Sequence, residues 1–204
     1  DNNTAVGKSA GAAITTGGLN CLLGSDSGDN ITTGGQNICI GNSTSTSSVS
    51  GGNQIVMGQG VTGNSNGSFA FGDHATDTVN TFGETTWSAP SDLRMKEDIQ
   101  DEVVGLDFIT KLRPVTYRWK KEKDIPEELS AYKGDSEERV MNGKYNHGFI
   151  AQEVKEAIDN NPDIKEGFGM WMEDETDGRQ RIGEGALVPM LTKAIQELST
   201  KVED

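Results

Sequence analysis

The sequence predicts two modules of different fold class: an N-terminal all-β repeat of the β-solenoid or β-helix kind, then a C-terminal α+β domain that ends in a long helix. Three observations carry this. Gly7, Gly24, Gly41 and Gly58 recur at intervals of 17 residues. Of the 26 glycines, 17 lie in residues 1–90, whereas 17 of the 18 basic residues lie beyond them. Near the end, Leu187, Leu191, Ile195, Leu198 and Val202 are spaced 4, 4, 3 and 4, which is helical periodicity close to a heptad seam.

The repeat is internally consistent. Gly11 matches Gly28, Ile14 matches Ile31, Asn20 matches Asn37, and Thr15-Thr16-Gly17-Gly18 matches Thr32-Thr33-Gly34-Gly35. The apolar runs Cys21-Leu22-Leu23, Ile38-Cys39-Ile40 and Ile55-Val56-Met57 each end on the repeat glycine, and Phe69-Ala70-Phe71-Gly72 closes a shorter fourth unit. Short β-prone runs between glycine turns are strand material and poor helix material. Three or four apolar side chains per unit cannot bury a face alone, so stacked neighbours or identical chains must complete the core. Small size favours identical chains. Repeats of this composition resemble the shafts of phage tail fibres and of trimeric bacterial adhesins, and that resemblance implies trimeric wrapping for residues 1–72.

Charge and composition exclude several classes. The net charge of −14 divides into about −5 before residue 91 and −9 after it, so both parts repel nucleic acid and anionic membrane. No apolar run reaches the ~20 residues of a membrane span, and Asp1-Asn2-Asn3 lacks the features of a signal peptide. The chain reads as soluble, and its start inside a repeat as that of a fragment. Cys21 and Cys39 are too few for a disulfide framework or a zinc cluster, so no metal or cofactor is expected. Gly7-Lys8-Ser9 lacks the earlier glycine of a phosphate-binding loop, and His74 has no second ligand nearby.

Residues 73–90 hold no clear repeat and read as a connector. Downstream, Val103 to Leu112 has the spacing of a short helix that stops before Pro114, and Val115 to Trp119 alternates as a strand. Residues 120–144 are charged and poor in apolar groups, an extended arm. Tyr145 to Phe149 suits a returning strand, Ile150 to Ile158 a helix ending before Pro162, and Phe168 to Met172 a strand turning at Asp177-Gly178. Residues 186–203 form the last helix, which either joins identical chains or lies on its own domain.

Ser91 and Lys96 stand where one composition gives way to the other. A lysine freed of its proton by burial can take the proton of a serine hydroxyl without a histidine, which suggests a self-cleaving dyad. The competing reading makes Ser91-Asp92 a helix cap and Lys96 a surface charge.

Four ordered stretches carry a family resemblance: Ser91-Asp92-Leu93-Arg94-Met95-Lys96-Glu97-Asp98-Ile99; Leu112-Arg113-Pro114-Val115-Thr116-Tyr117; Gly148-Phe149-Ile150-Ala151-Gln152-Glu153-Val154; and Leu187-Val188-Pro189-Met190-Leu191 with Ala194-Ile195-Gln196-Glu197-Leu198. Together they resemble the intramolecular chaperone domain of phage tailspikes and fibres, the S74 peptidase family. The resemblance implies that residues 91–204 form a homotrimer, seed folding of the preceding shaft as their client, and then release themselves as a single-turnover serine endopeptidase. The shaft would remain in a virion appendage and the released module in the host cytoplasm. The family's serine and lysine fall on Ser91 and Lys96, and its cleavage site on the Ser91–Asp92 bond. Gln152 and Glu153 fall on supporting positions. His147, just before them, is open to two readings, a donor to the scissile carbonyl and a packed structural histidine. One departure is visible: the proline after the Ala151-Gln152-Glu153 helix comes late, at Pro162; the 120–144 stretch is variable in such domains, so no role carries over to it.

An uncut structural or receptor-binding fibre tip is the rival from another class. A glycosidase is a third, but residues 1–90 carry few acids with which to build its paired carboxylates.

Overall fold

Each apolar run of the repeat becomes a strand, and consecutive runs stack. In a computed structural model, which describes residues 2–164, 166 and 168–203, the chain divides into two compact units, 1–98 and 99–204. The first contains β1 (Thr4–Val6), β2 (Cys21–Leu23), β3 (Ile38–Ile40), β4 (Ile55–Gln59), β5 (Ser68–Asp73) and β6 (Thr76–Thr81) in one six-stranded sheet, ordered as in the sequence. β1 to β5 pair in parallel, with Thr4, Cys21, Ile38, Ile55 and Phe69 in one register column. This is a β-solenoid-like stack whose coils are 17 residues long from β1 to β4 and 14 from β4 to β5.

Strand alternation sends the middle residue of each run inward. Leu22, Cys39, Val56 and Ala70 form that inner column, and Ile31 and Val61 from the return loops complete a fully buried core. Burial pushes the Cys39 thiol up to about 12, and both cysteines are free. The expectation that identical chains complete the core is corrected here: neighbouring coils of one chain do so. Polar ladders make this possible with few apolar groups. Asn20 and Asn37 are buried, and the Oδ1 of each accepts from the backbone N–H of the residue 17 positions on: Asn37 N–H to Asn20 at 3.0 Å and Gln54 N–H to Asn37 at 3.0 Å. The Nδ2 of Asn37 donates to that same Asn20 oxygen and to the Gly51 carbonyl. A buried amide with its partners supplied costs little, and it fixes the register that a purely apolar stack leaves loose.

The glycine column has a steric cause. Gly41 sits at φ +129°, and a Cβ there would overlap the Gly58 carbonyl oxygen of the next coil. In the connector stretch, β6 pairs antiparallel with β5, from Ser68↔Thr81 to Asp73↔Thr76, and a bridge joins Val79 to Ser88. The turn holds His74, exposed, with Nδ1 2.5 Å from Asp73 Oδ1.

The outer face of the parallel sheet is also apolar. Val6, Leu23, Ile40, Met57 and Phe71 form one outward column, and Cys21, Ile38, Ile55 and Phe69 continue the other. At its last rung Trp87 packs edge-on against Phe69 and Phe71, with centroids 5.6 and 5.4 Å away.

The second unit contains α1 (Leu106–Ile109), β7 (Val115–Tyr117), β8 (Asn146–Gly148), α2 (Ala151–Asp159), β9 (Trp171–Glu173), β10 (Gln180–Ile182) and α3 (Val188–Glu203). Its core gathers Val104, Phe108, Val154, Ala157, Met170, Leu187 and Met190. α1 is shorter than the apolar spacing predicts. Its entry is set by Gly105 and by Glu197 of α3, which accepts from the Leu106 N–H at 2.9 Å, and it runs out through i→i+3 bonds before Pro114. β7 and β8 pair antiparallel, as do β9 and β10. The charged 120–144 stretch is not extended. Glu137 accepts from both Lys121 and Lys123 and Lys133 pairs with Glu122, so opposite charges fold the segment back on itself, and a backbone β-bridge between residues 121 and 139 closes it.

α3 carries two apolar faces. Leu187 of the preceding 3₁₀ turn, Met190 and Ala194 are buried in the core. Val188, Leu191, Ile195, Leu198 and Val202 are exposed, at spacings of 3, 4, 3 and 4. The apolar stripe inferred from sequence is therefore exposed along α3 and starts at Val188, because Leu187 belongs to the core.

Candidate functional site

The segment from Ser91 to Lys96 forms a tight local turn. Asp92 caps the single 3₁₀ turn Leu93–Met95, its Oδ1 accepting from the Arg94 N–H at 2.8 Å, and the backbone closes with Met95 N–H to Asp92 O and Lys96 N–H to Leu93 O. Arg94 also grips that carboxylate with its guanidinium, Nε to Oδ1 at 3.0 Å and Nη2 to Oδ2 at 2.6 Å. These bonds hold the Asp92 carboxyl below the usual carboxylate range, with the Arg94 side chain the leading cause. One turn of this kind reverses the chain direction enough to bring Lys96 back over Ser91. Lys96 Nζ donates to Ser91 Oγ at 2.7 Å, within reach for proton transfer.

Ser91 and Lys96 are exposed, and so are the apolar neighbours Leu93 and Met95, 71% and 59% accessible. An amine acts as a base at neutral pH when its surroundings are dry, and two large apolar side chains beside the pair provide a surface that a covering partner would bury.

The other site candidates lie in the second unit. His147 on β8 stands opposite Thr116 on β7, with Nδ1 3.4 Å from Thr116 Oγ1, and it is exposed rather than packed. Glu153, in the first turn of α2, is engaged by Arg113 through two hydrogen bonds that hold its carboxyl below the usual range. It ties α2 to the Leu112-Arg113-Pro114 stretch, a structural task. Gln152 lines a cleft with Tyr117, Trp119, Phe149 and Ile182. Ser91, Asp92 and Lys96 belong to the first unit, and His147, Gln152 and Glu153 to the second.

Sequence reading missed Arg94 as the clamp of the turn and Arg113 as the partner of Glu153. The Asp-x-Arg spacing was the available signal for the first. The second, 40 residues apart, left none.

No curated protein and no solved structure matches the chain. Residues 91–161 match the family model Peptidase_S74, described as the chaperone of endosialidase. The match begins on the serine of the Ser91–Lys96 pair and takes in α1, β7, β8 and α2. From Ser91 to Asn161, therefore, this chain is similar to the chaperone-of-endosialidase module that the Peptidase_S74 family model describes.

Proposed function

We propose that residues 91–204 associate as three copies, align and seed the folding of the repeat before them, and then cut themselves from it through Ser91 and Lys96. The observation that carries the cleavage is the 2.7 Å bond from Lys96 Nζ to Ser91 Oγ at the first residues of the family match. The exposed 3-4-3-4 seam of α3 supports association. Taken alone, β-branched residues at one heptad position and leucine at the other favour two strands, so the threefold count comes from the family resemblance and is decided by the mass of the assembly.

The chemistry needs only these residues. Ser91 Oγ passes its proton to Lys96 Nζ as it attacks a carbonyl carbon. The C–N bond then breaks, the departing amine takes the proton from the lysine, and water hydrolyses the ester to restore the hydroxyl. Attack on the Pro90 carbonyl passes through a five-membered ring and cuts before Ser91. The serine's own carbonyl would demand a four-membered ring, so a cut after Ser91 uses a hydroxyl from another copy. Asp92, occupied by Arg94, anchors the turn. Fragment masses separate the two sites by one serine.

A seed of this kind has a physical purpose. A register-specific stack is slow to nucleate and exposes strand edges meanwhile, and a shared module raises the local concentration of the chains. Removing it afterwards leaves a product held by its unfolding barrier. In this reading the shaft stays in a viral appendage and the module is shed in the host cell.

The exposure of Ser91 and Lys96 favours the other reading, a tip that is never cut. A denaturing gel of wild type, Ser91→Ala and Lys96→Ala, run after assembly, separates them. Two fragments from wild type alone are expected; an intact wild-type chain within the assembly overturns cleavage.

A further inference from the structure

We infer that the outer face of the parallel sheet, β1 to β5, is the surface by which copies of this chain pack their solenoids together. The inference rests on the proposed assembly and names the surface that the repeat itself contributes to it. Its two outward columns hold Val6, Leu23 and Phe71 at 57%, 49% and 42% exposure, alongside Cys21, Ile38 and Met57, all exposed.

Four observations select a second copy as the occupant. First, the face is extensive: Val6, Leu23, Ile38, Met57 and Phe71 are exposed in adjoining columns, and lone soluble proteins rarely expose contiguous apolar patches beyond a few hundred Å². Second, none of the side chains in these columns carries a charge, although the whole chain has a net charge of −14. Two copies meeting here keep their acidic surfaces apart. Third, the side chains stand in rows one strand spacing apart, roughly 4.8 Å, for five rungs, and an identical stack presents the same period. Fourth, the inner core is slight: six fully buried apolar residues organise the coils, with free cysteines instead of a disulfide. A small scaffold of this kind gains what its interior lacks by association.

The repeat glycines make the face possible. With Gly24 and Gly41 directly after β2 and β3 and Gly58 in the same column within β4, backbones stack closely without side chains at that position.

Cys21 provides the test without altering the fold, since it lies on this face while Cys39 is buried. The assembled full chain is treated with a short bis-maleimide, beside Cys21→Ser and Leu23→Glu, and the mass of each assembly is measured in parallel by light scattering. Covalent dimers from wild type, absent with Cys21→Ser and reduced at least about tenfold by Leu23→Glu, are expected. A wild-type assembly of several copies that gives no cross-link, with Leu23→Glu assembling as wild type does, overturns this interface while leaving association through the C-terminal module intact. A single-copy mass for wild type overturns both.

Discussion

In residues 2–98 a buried group typically finds its counterpart 17 positions away, whereas in residues 99–203 the core is assembled from partners with no common spacing. Asn20 meets Asn37, Asn37 meets Gln54, and Leu22 stacks on Cys39 and Cys39 on Val56. In the second unit, Phe108 from α1 joins Val154 from α2, Met170 from a loop and Met190 from α3. The first arrangement spreads stability over many equivalent rungs. The second concentrates it in a few side chains that touch several elements at once. A periodic stack specifies its neighbours but not where to begin, and an irregular core has one solution. Under the proposed function, this difference suits the second unit to be the seed and the first to be the shaft.

The contrast can be broken at its strongest point by Phe108→Ala. Phe108 is fully buried and packs edge-on against Phe168 at 6.1 Å, so about 3–5 kcal/mol of the second unit's stability should be lost, read from denaturant unfolding. Next comes Gly41→Ala, in which a methyl meets the Gly58 carbonyl in a left-handed backbone; about 3 kcal/mol is expected, and the melting transition should show it. Milder behaviour there would mean that the coils can slide apart and that the rungs are less rigid than drawn. Asn37→Ala removes one rung of the amide ladder and leaves the Gln54 N–H without its acceptor, at roughly 1–3 kcal/mol in the same measurement.

Acid should separate the two units more gently. Glu137 is held down to about 2 by the lysines at 121 and 123, and Asp174 to about 2 by Arg181 and Arg179. Because the folded values lie below the ordinary 4.5 and 3.8, this stabilisation is present at neutral pH and is lost as pH falls through the folded values. Amide exchange in residues 120–144 and 171–182 should therefore quicken as pH drops toward 2, after correction for intrinsic exchange. The amide ladder of the first unit contains no titrating group and should stay protected. The smallest effect expected is that of Arg94→Ala. Loosening the Asp92 clamp should slow self-cleavage a few-fold without preventing assembly, and Arg94→Lys should recover part of the rate because it keeps the charge but not the paired grip.

Much of the first unit was legible because its period is its structure: the runs Cys21-Leu22-Leu23 and Ile38-Cys39-Ile40 coincide with β2 and β3. What spacing did not disclose was that buried amides share the interior, so one chain closes it. β6 also escaped notice, since Thr76–Thr81 contains a single apolar residue, Val79, and is a strand because β5 offers it an edge. In the second unit the helices at 151–159 and 188–203 followed their periodicity. The fold-back of the charged stretch did not, because pairs such as Lys123 with Glu137 depend on a turn that no local pattern announces. At the site, the nearness of Ser91 and Lys96 was readable from a five-residue separation, and the capped turn that enforces it was not.

The reversal of direction at β6 sets a terminus for growth. A parallel coil can be laid on another parallel coil indefinitely, but an antiparallel strand on the final edge offers the wrong hydrogen-bond pattern for a further 17-residue winding. However many windings precede it, the hairpin acts as a stop codon written in backbone geometry, and the hydroxyl at residue 91 falls a fixed distance beyond it. Such a molecule could lengthen or shorten over evolution by whole windings without ever displacing the Ser91–Lys96 pair from the end of its stack.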